Sequence, residues 1–226
     1  NSKGIFTRMI EVSNKHKSFY WKGEYKNDFN TRVTHFTQLN ALEFYKPSLN
    51  KGSINFDLVM LGNLDPVIQM DIYSQVKNDN NFVILDTMNY WIEKTQKELF
   101  EIICKVNLVV INDEESQMLG KSNSIEECAK NILSCGPDYI IIKKGSHGAE
   151  LFSKHQRSAI PALDNIKVVD PTGAGDSFVG GVCGYLALQP IISFKEIHNA
   201  MIYGAVIASF CIEEFGLARL QKISKE

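Results

Sequence analysis

The chain has 226 residues, 44% of them hydrophobic, which is enough for one sizeable core and one main domain. Its 24 Lys+Arg and 26 Asp+Glu leave a net charge of -2 with no long run of one sign, so neither nucleic acid nor an anionic membrane meets a basic surface. Five cysteines without a CxxC pair, and no apolar run near the ~20 residues of a spanning helix, point to a reduced, cytoplasmic protein acting on a small molecule.

In chain order, residues 5 to about 45 ("IFTRMIEV", "SFYWKGEY", "RVTHFTQLN") are aromatic and β-branched with partial alternation, and predict a small antiparallel sheet. Beyond residue 54 the texture changes. Short apolar runs, "FDLVMLG", "FVILD", "VNLVVIN" and "DYIIIKKG", alternate with longer amphipathic stretches, the pattern of parallel strands joined by crossover helices. Ser124 and Glu127 have capping-box spacing. Ile125, Cys128, Ala129, Ile132 and Leu133 then share one helical face before Gly136-Pro137 ends it.

Near the end, "IKVVD" reads as a strand and "AGDSFVGGVCGYLAL" as a helix, which places Thr172, Gly173, Ala174 and Gly175 at a strand-to-helix turn. Unpaired N–H groups and the helix dipole attract an anion there, and residues without bulk let phosphate oxygens approach the backbone. Asp176 follows in the first helical turn, where a carboxylate can accept the proton of a substrate hydroxyl. The plainer alternative is a glycine-rich turn with a favourable charge at a helix start.

Two other stretches sit at strand ends. "INDEE" holds Asn112 and Glu115, and reads either as support for Mg²⁺ or as an acidic helix start. "KKGSHGA" holds Gly145-x-x-Gly148, a ligand loop or a hairpin turn, with His147 expected to face solvent. "LGKS" at 119–122 is a helix C-cap rather than a phosphate loop, because Glu115 occupies the position that needs glycine. The five histidines show no paired zinc-ligand spacing, and no GxGxxG follows an early strand.

"DPTGAGDSFVGG" resembles the C-terminal signature of the ribokinase-like (PfkB) family of carbohydrate and nucleoside kinases. The resemblance implies a three-layer α/β/α sandwich with a small β-sheet lid, here a lid segment at 1–45 and a nucleotide-binding and catalytic core at 46–226. It implies transfer of the ATP γ-phosphate to a sugar hydroxyl, with a nucleoside kinase or a non-catalytic nucleotide-binding fragment as alternatives. Asp176 matches the family's general base, and Gly173, Ala174 and Gly175 match its anion hole. Asp170 matches the aspartate near which many members hold a monovalent cation such as K⁺. Asn112 and Glu115 match N-x-x-E, which supports Mg²⁺.

Gly145, Gly148 and Thr172 fall in the family's nucleotide-contacting segments. So does Lys143, where many members carry Thr. Ala205 and Ser209 lie in "HNAMIYGAVIASFCIEEFG", similar to the helices bordering the adenine pocket, although helix packing alone explains small residues there. Asp86 and Asn89 in "LDTMNYW" resemble a D-x-N segment one residue longer than usual, and "GNLDP" ends an earlier strand near the same cleft. Arg8, Arg32 and the aromatics Phe19, Tyr20 and Trp21 match the lid, where they meet a sugar, pack the lid or pair it with a second copy. The strand and sugar-binding residues that open full members have no counterpart, so a chain lacking the N-terminal part is expected.

Overall fold

A computed structural model describes residues 7, 10–26, 32–49 and 56–223. The aromatic N-terminal stretch forms the expected antiparallel pair, Tyr20–Tyr25 (β1) and Arg32–Gln38 (β2), irregular between Lys22 and Gly23. Tyr20 stacks on Phe36 across the pair, and Trp21 Nε1 donates to Thr34 Oγ1 at 3.2 Å. Residues 10–12 of "IFTRMIEV" join no strand. Arg8 and the side chain of Arg32 lie outside the described residues.

The four apolar runs become parallel strands Leu58–Leu61 (β3), Phe82–Asp86 (β4), Leu108–Asn112 (β5) and Tyr139–Lys143 (β6). Ala149–Ser153 (β7) and Arg157–Ile160 (β8) extend the sheet antiparallel, in the order β3-β4-β5-β6-β7-β8. Successive strand residues point to opposite faces, and both faces are apolar here because both are covered. Val83, Leu85, Val109, Ile111, Ile140 and Ile142 form one core, which takes in side chains of Pro66–Val76 (α1), Asn89–Lys94 (α2), Gln96–Ile103 (α3), Asp113–Gly120 (α4) and Ile125–Leu133 (α5). The alternate residues Ile84, Leu108, Val110, Ile141 and Leu151 form the other, beneath Ala174–Leu186 (α6) and Phe194–Ile212 (α7). The result is the α/β/α sandwich that the sequence implies; Ala218–Lys222 (α8) follows α7.

The helix signals hold in detail. Ser124 accepts from the Glu127 amide, and α5 buries Cys128, Ala129, Ile132 and Leu133. The return half of that cap is replaced, since Glu127 Oε2 accepts from Ser122 Oγ at 2.6 Å. Lys121 ends α4 in the left-handed region, the C-cap expected of "LGKS". Helices α6 and α7 touch backbone to backbone, because a Cβ on Gly181 would lie 2.8 Å from Gly204 Cα.

One expected strand does not form. Residues 166–170, "IKVVD", join no sheet; the amides of Val169 and Asp170 donate instead to Ile212 O at the end of α7, at 2.8 and 3.2 Å. β-branched residues favour extended backbone, but a strand also needs a neighbour to accept its amides, and the helix end takes that part.

Glu150 on β7 is a buried carboxylate held by two cations. Lys144 Nζ donates to Oε1, and Arg157 meets Oε2 through Nε at 2.9 Å and through its second guanidinium nitrogen at 2.6 Å. Burial pushes the Glu150 carboxyl up, but the hydrogen bonds and charges of Lys144 and Arg157 outweigh it and leave the group below its ordinary range. A depressed carboxylate contributes stability above its unfolded pKa and loses it as pH falls through the folded value. Glu150→Gln is therefore expected to cost about 1–3 kcal/mol at neutral pH. Denaturant midpoints should show that gap closing below about pH 4, the unperturbed glutamate range.

Candidate active site

Strand periodicity selects which residues meet at the carboxyl edge of the sheet. Two positions beyond Ile84, Val110 and Ile141, all on the α6/α7 face, come Asp86, Asn112 and Lys143. Each ends its strand, and Asn112 and Lys143 are register partners. On β3 the same phase reaches Gly62, whose missing side chain faces open space.

The N-terminus of α6 closes the space above this row. Gly173 is its N-cap with φ 84°, in the left-handed region that glycine adopts without steric cost. Ala174 N bonds back to Pro171 O at 3.1 Å, and the first helical bond runs from Ser177 N to Gly173 O at 2.9 Å. The amides of Gly175 and Asp176, second and third in the helix, have no acceptor within it. Asp176 is exposed beside them.

The turn is held from behind by α7. Besides the bonds to Ile212 O, Cys211 Sγ contacts Thr172 O at 3.7 Å and lies 3.6 Å from where a Gly173 Cβ would stand. Asp170 Oδ1 accepts from Thr172 N at 3.0 Å, so it shapes the turn that it begins.

Lys143 reaches this turn from below. Its Nζ lies 3.2 Å from the position of a Gly175 Cβ and 3.8 Å from Asp86 Oδ1. The second distance exceeds a hydrogen bond, so the contact is an ion pair between mostly buried groups. Burial pushes the Asp86 carboxyl up, the Lys143 ammonium pulls it down, and the charge of Asp176 pushes it up again; the net direction is up. Asp86, Lys143, Gly175 and Asp176 thus form one electrostatic unit. Asn89 opens α2, and its Oδ1 is buried with no partner among the described residues, as is Thr87 Oγ1.

Asn112 and Glu115 form a full capping box on α4: Asn112 Oδ1 accepts from Glu115 N, and Glu115 Oε2 accepts from Asn112 N, each at 2.8 Å. No group of three His, Cys, Asp or Glu residues that could hold a metal occurs among the described residues. A divalent ion held mainly by phosphate oxygens and water would need few protein ligands, and Asn112 and Glu115 at the locked strand end would be its support.

The Gly145–Gly148 segment is the turn of the β6–β7 hairpin, with His147 exposed. Gly148 has φ 82°, and a Cβ there would stand 2.1 Å from Ile160 O. This close approach ties the loop to the end of β8, which borders an apolar cavity of about 330 Å³. Ile160, Pro161 and Ala162 line one wall; His198, Ile202, Ala205 and Val206 of α7 line the other. Ala205 lines this cavity, whereas Ser209 does not; it is buried and donates to Val206 O within its own helix. The cavity wall on α7 was signalled in the sequence by residues spaced four, seven and eight beyond His198, one helical face.

Helices on both faces of a largely parallel sheet, with a glycine turn at a helix N-terminus above its carboxyl edge, make this a three-layer α/β protein. The family described as pfkB family carbohydrate kinase matches residues 9–223, and the chain belongs to it. It is 28% identical over 189 residues to a nucleoside kinase of Methanocaldococcus jannaschii, covering 83% of this chain and 58% of that one. It is 31% identical over 166 residues to a tagatose-6-phosphate kinase of Staphylococcus epidermidis, covering 67% and 51%. The chain therefore spans between half and three fifths of these curated relatives. The crystal structure of the M. jannaschii nucleoside kinase superposes with a TM-score of 0.70 at 25% identity, over 93% of this chain and 70% of that one. A Burkholderia thailandensis nucleoside kinase in complex with inosine shares the fold at TM-score 0.74 and 18% identity, over 95% and 69%.

Gly148→Ala should force the hairpin away from β8 and destabilise the protein by about 1–3 kcal/mol, read from denaturant midpoints. An unchanged midpoint would contradict the close packing of the loop on Ile160.

Proposed function

We propose that the protein is an ATP-dependent kinase that moves the γ-phosphate to a hydroxyl of a sugar. The observation that carries this reading is the glycine turn at the N-terminus of α6 with Asp176 in its first turn and Lys143 beneath it. Asp176 takes the proton of the attacking hydroxyl, whose oxygen bonds to the γ-phosphorus as the bond to the bridging β,γ oxygen breaks and ADP leaves. The amides of the Gly173–Gly175 turn meet the charge that develops on the transferring oxygens.

The nucleotide base lies in the apolar cavity, against Ala205, and the phosphates run past the Gly145–Gly148 hairpin and Thr172 towards Lys143. Asn112 and Glu115 would support a bound Mg²⁺, which would supply positive charge against the phosphates. A monovalent cation such as K⁺ belongs near Asp170. Asp86, Asn89 and Arg32 are the candidates for holding the acceptor.

The nucleoside alternative draws support from the M. jannaschii relative, which aligns with 83% of the chain. Both acceptors present a sugar hydroxyl. The β1–β2 ribbon, with Tyr20, Val33 and Phe36 exposed, serves as a lid that pairs across a homodimer. Five cysteines, all free, accord with a cytoplasmic setting.

Mass spectrometry of pentoses, hexoses, keto-sugar acids and nucleosides incubated with ATP and Mg²⁺ tests the reading. A product heavier by one phosphate is expected, and Asp176→Asn should reduce its rate by about 100-fold or more while ATP binding persists. Near-normal turnover in that variant would remove Asp176 from its role. ATP binding without transfer to any acceptor would favour a non-catalytic nucleotide-binding module.

A further inference from the structure

Asp86 is a buried carboxylate whose only place in the scheme above is among the candidates for holding the acceptor. Its side chain is 7% exposed, and the nearest cation is Lys143, itself 18% exposed. No other ion pair to either group occurs among the described residues. Lysine has a flexible four-carbon stem, and an unpaired ammonium at a strand end would explore many rotamers. Here it points at the second residue of α6, where a phosphoryl group on the glycine turn would sit.

We propose that Asp86 is a positioning residue, whose buried carboxylate holds the Lys143 ammonium against the Gly173–Gly175 turn so that an arriving phosphate meets a preoriented cation. This rests on the kinase reading for its use in transfer, but the pairing itself is independent of activity. The strand register makes it possible: on successive parallel strands Asp86 pairs with Val110 and Lys143 with Asn112, two residues further along the same face. It also changes the chemistry assigned to Asp86. A carboxylate committed to an internal ammonium is a poor acceptor for a sugar hydroxyl, because turning to the sugar would leave Lys143 unpaired in a partly buried place.

The sign of one effect separates this from the alternatives. If Asp86 were simply a negative charge near the anion turn, Asp86→Asn would relieve repulsion and tighten the binding of a polyphosphate. If Asp86 positions Lys143, the same change weakens it. Inorganic tripolyphosphate is the probe, titrated calorimetrically into wild type, Asp86→Asn, Asp86→Glu, Lys143→Met and the Asp86→Asn/Lys143→Met pair. Lys143→Met should lose about tenfold in affinity, the scale of a charged hydrogen bond. Asp86→Asn should lose severalfold, Asp86→Glu should recover most of it, and the pair should bind no worse than Lys143→Met alone.

A second readout needs no ligand. In ¹⁵N-lysine spectra an ordered ammonium signal, assigned by its loss in Lys143→Arg, should broaden away in Asp86→Asn and persist in Asp176→Asn. Tighter binding by Asp86→Asn, additive losses in the pair, or an unchanged Lys143 signal would each overturn the proposal. If wild type transfers phosphate to nothing, the kinase reading fails and these two measurements still decide the pairing. If transfer is seen, Asp86→Asn should lower kcat with the acceptor KM within about threefold; a rise in acceptor KM alone would make Asp86 a sugar ligand and overturn the positioning role.

Discussion

The two-residue period of three parallel strands governs the site. Because β4, β5 and β6 are in register and buried on both faces, their last residues emerge together on one side, and those residues are Asp86, Asn112 and Lys143. The same face carries α6 and α7, so the first amides of α6 are delivered to the row of polar strand ends. A slip of one residue in any strand would turn its polar end towards α1, α3 and α5 and bury it in the wrong core. The hydrophobic pattern of the strands and the geometry of the site are therefore one constraint.

Helix α7 connects the parts. Its middle lines the apolar cavity through Ile202, Ala205 and Val206, and its last turn receives the amides of Val169 and Asp170 and contacts Thr172. Packed backbone to backbone on α6 at Gly204, it leaves the glycine turn little freedom to drift. The hairpin at Gly145–Gly148 is fixed both by its own bonds, Lys144 N to Gly148 O at 2.8 Å and His147 N to Lys144 O at 2.9 Å, and by its close approach to Ile160. A base in the cavity and a phosphate at the turn would thus lie against one rigid helix.

Local signals carried far in this chain because they agree with one another. Ser124, Glu127 and the face of α5, the cap of α4 at Asn112 and Glu115, the C-cap at Lys121 and the start of α6 after Gly173 all depend on neighbours a few residues away. Of the two readings of "INDEE", the structure shows the acidic helix start, as a capping box between Asn112 and Glu115. "IKVVD" failed as a strand for a tertiary reason: its composition is right, but no strand lies beside it to accept its amides.

The amino-acid sequence determined the parallel strands with their crossover helices, the helix ends and the glycine turn with Asp176, because these follow from periodicity, capping and the absence of side chains over short spans. Only the tertiary structure decided that Lys143 and Asp86, 57 positions apart, share an ion pair beneath that turn, that α7 replaces a strand behind it, and that Ser209 stays out of the cavity lined by Ala205. Such pairings depend on which strands become neighbours and in what register. No short window of residues contains that information.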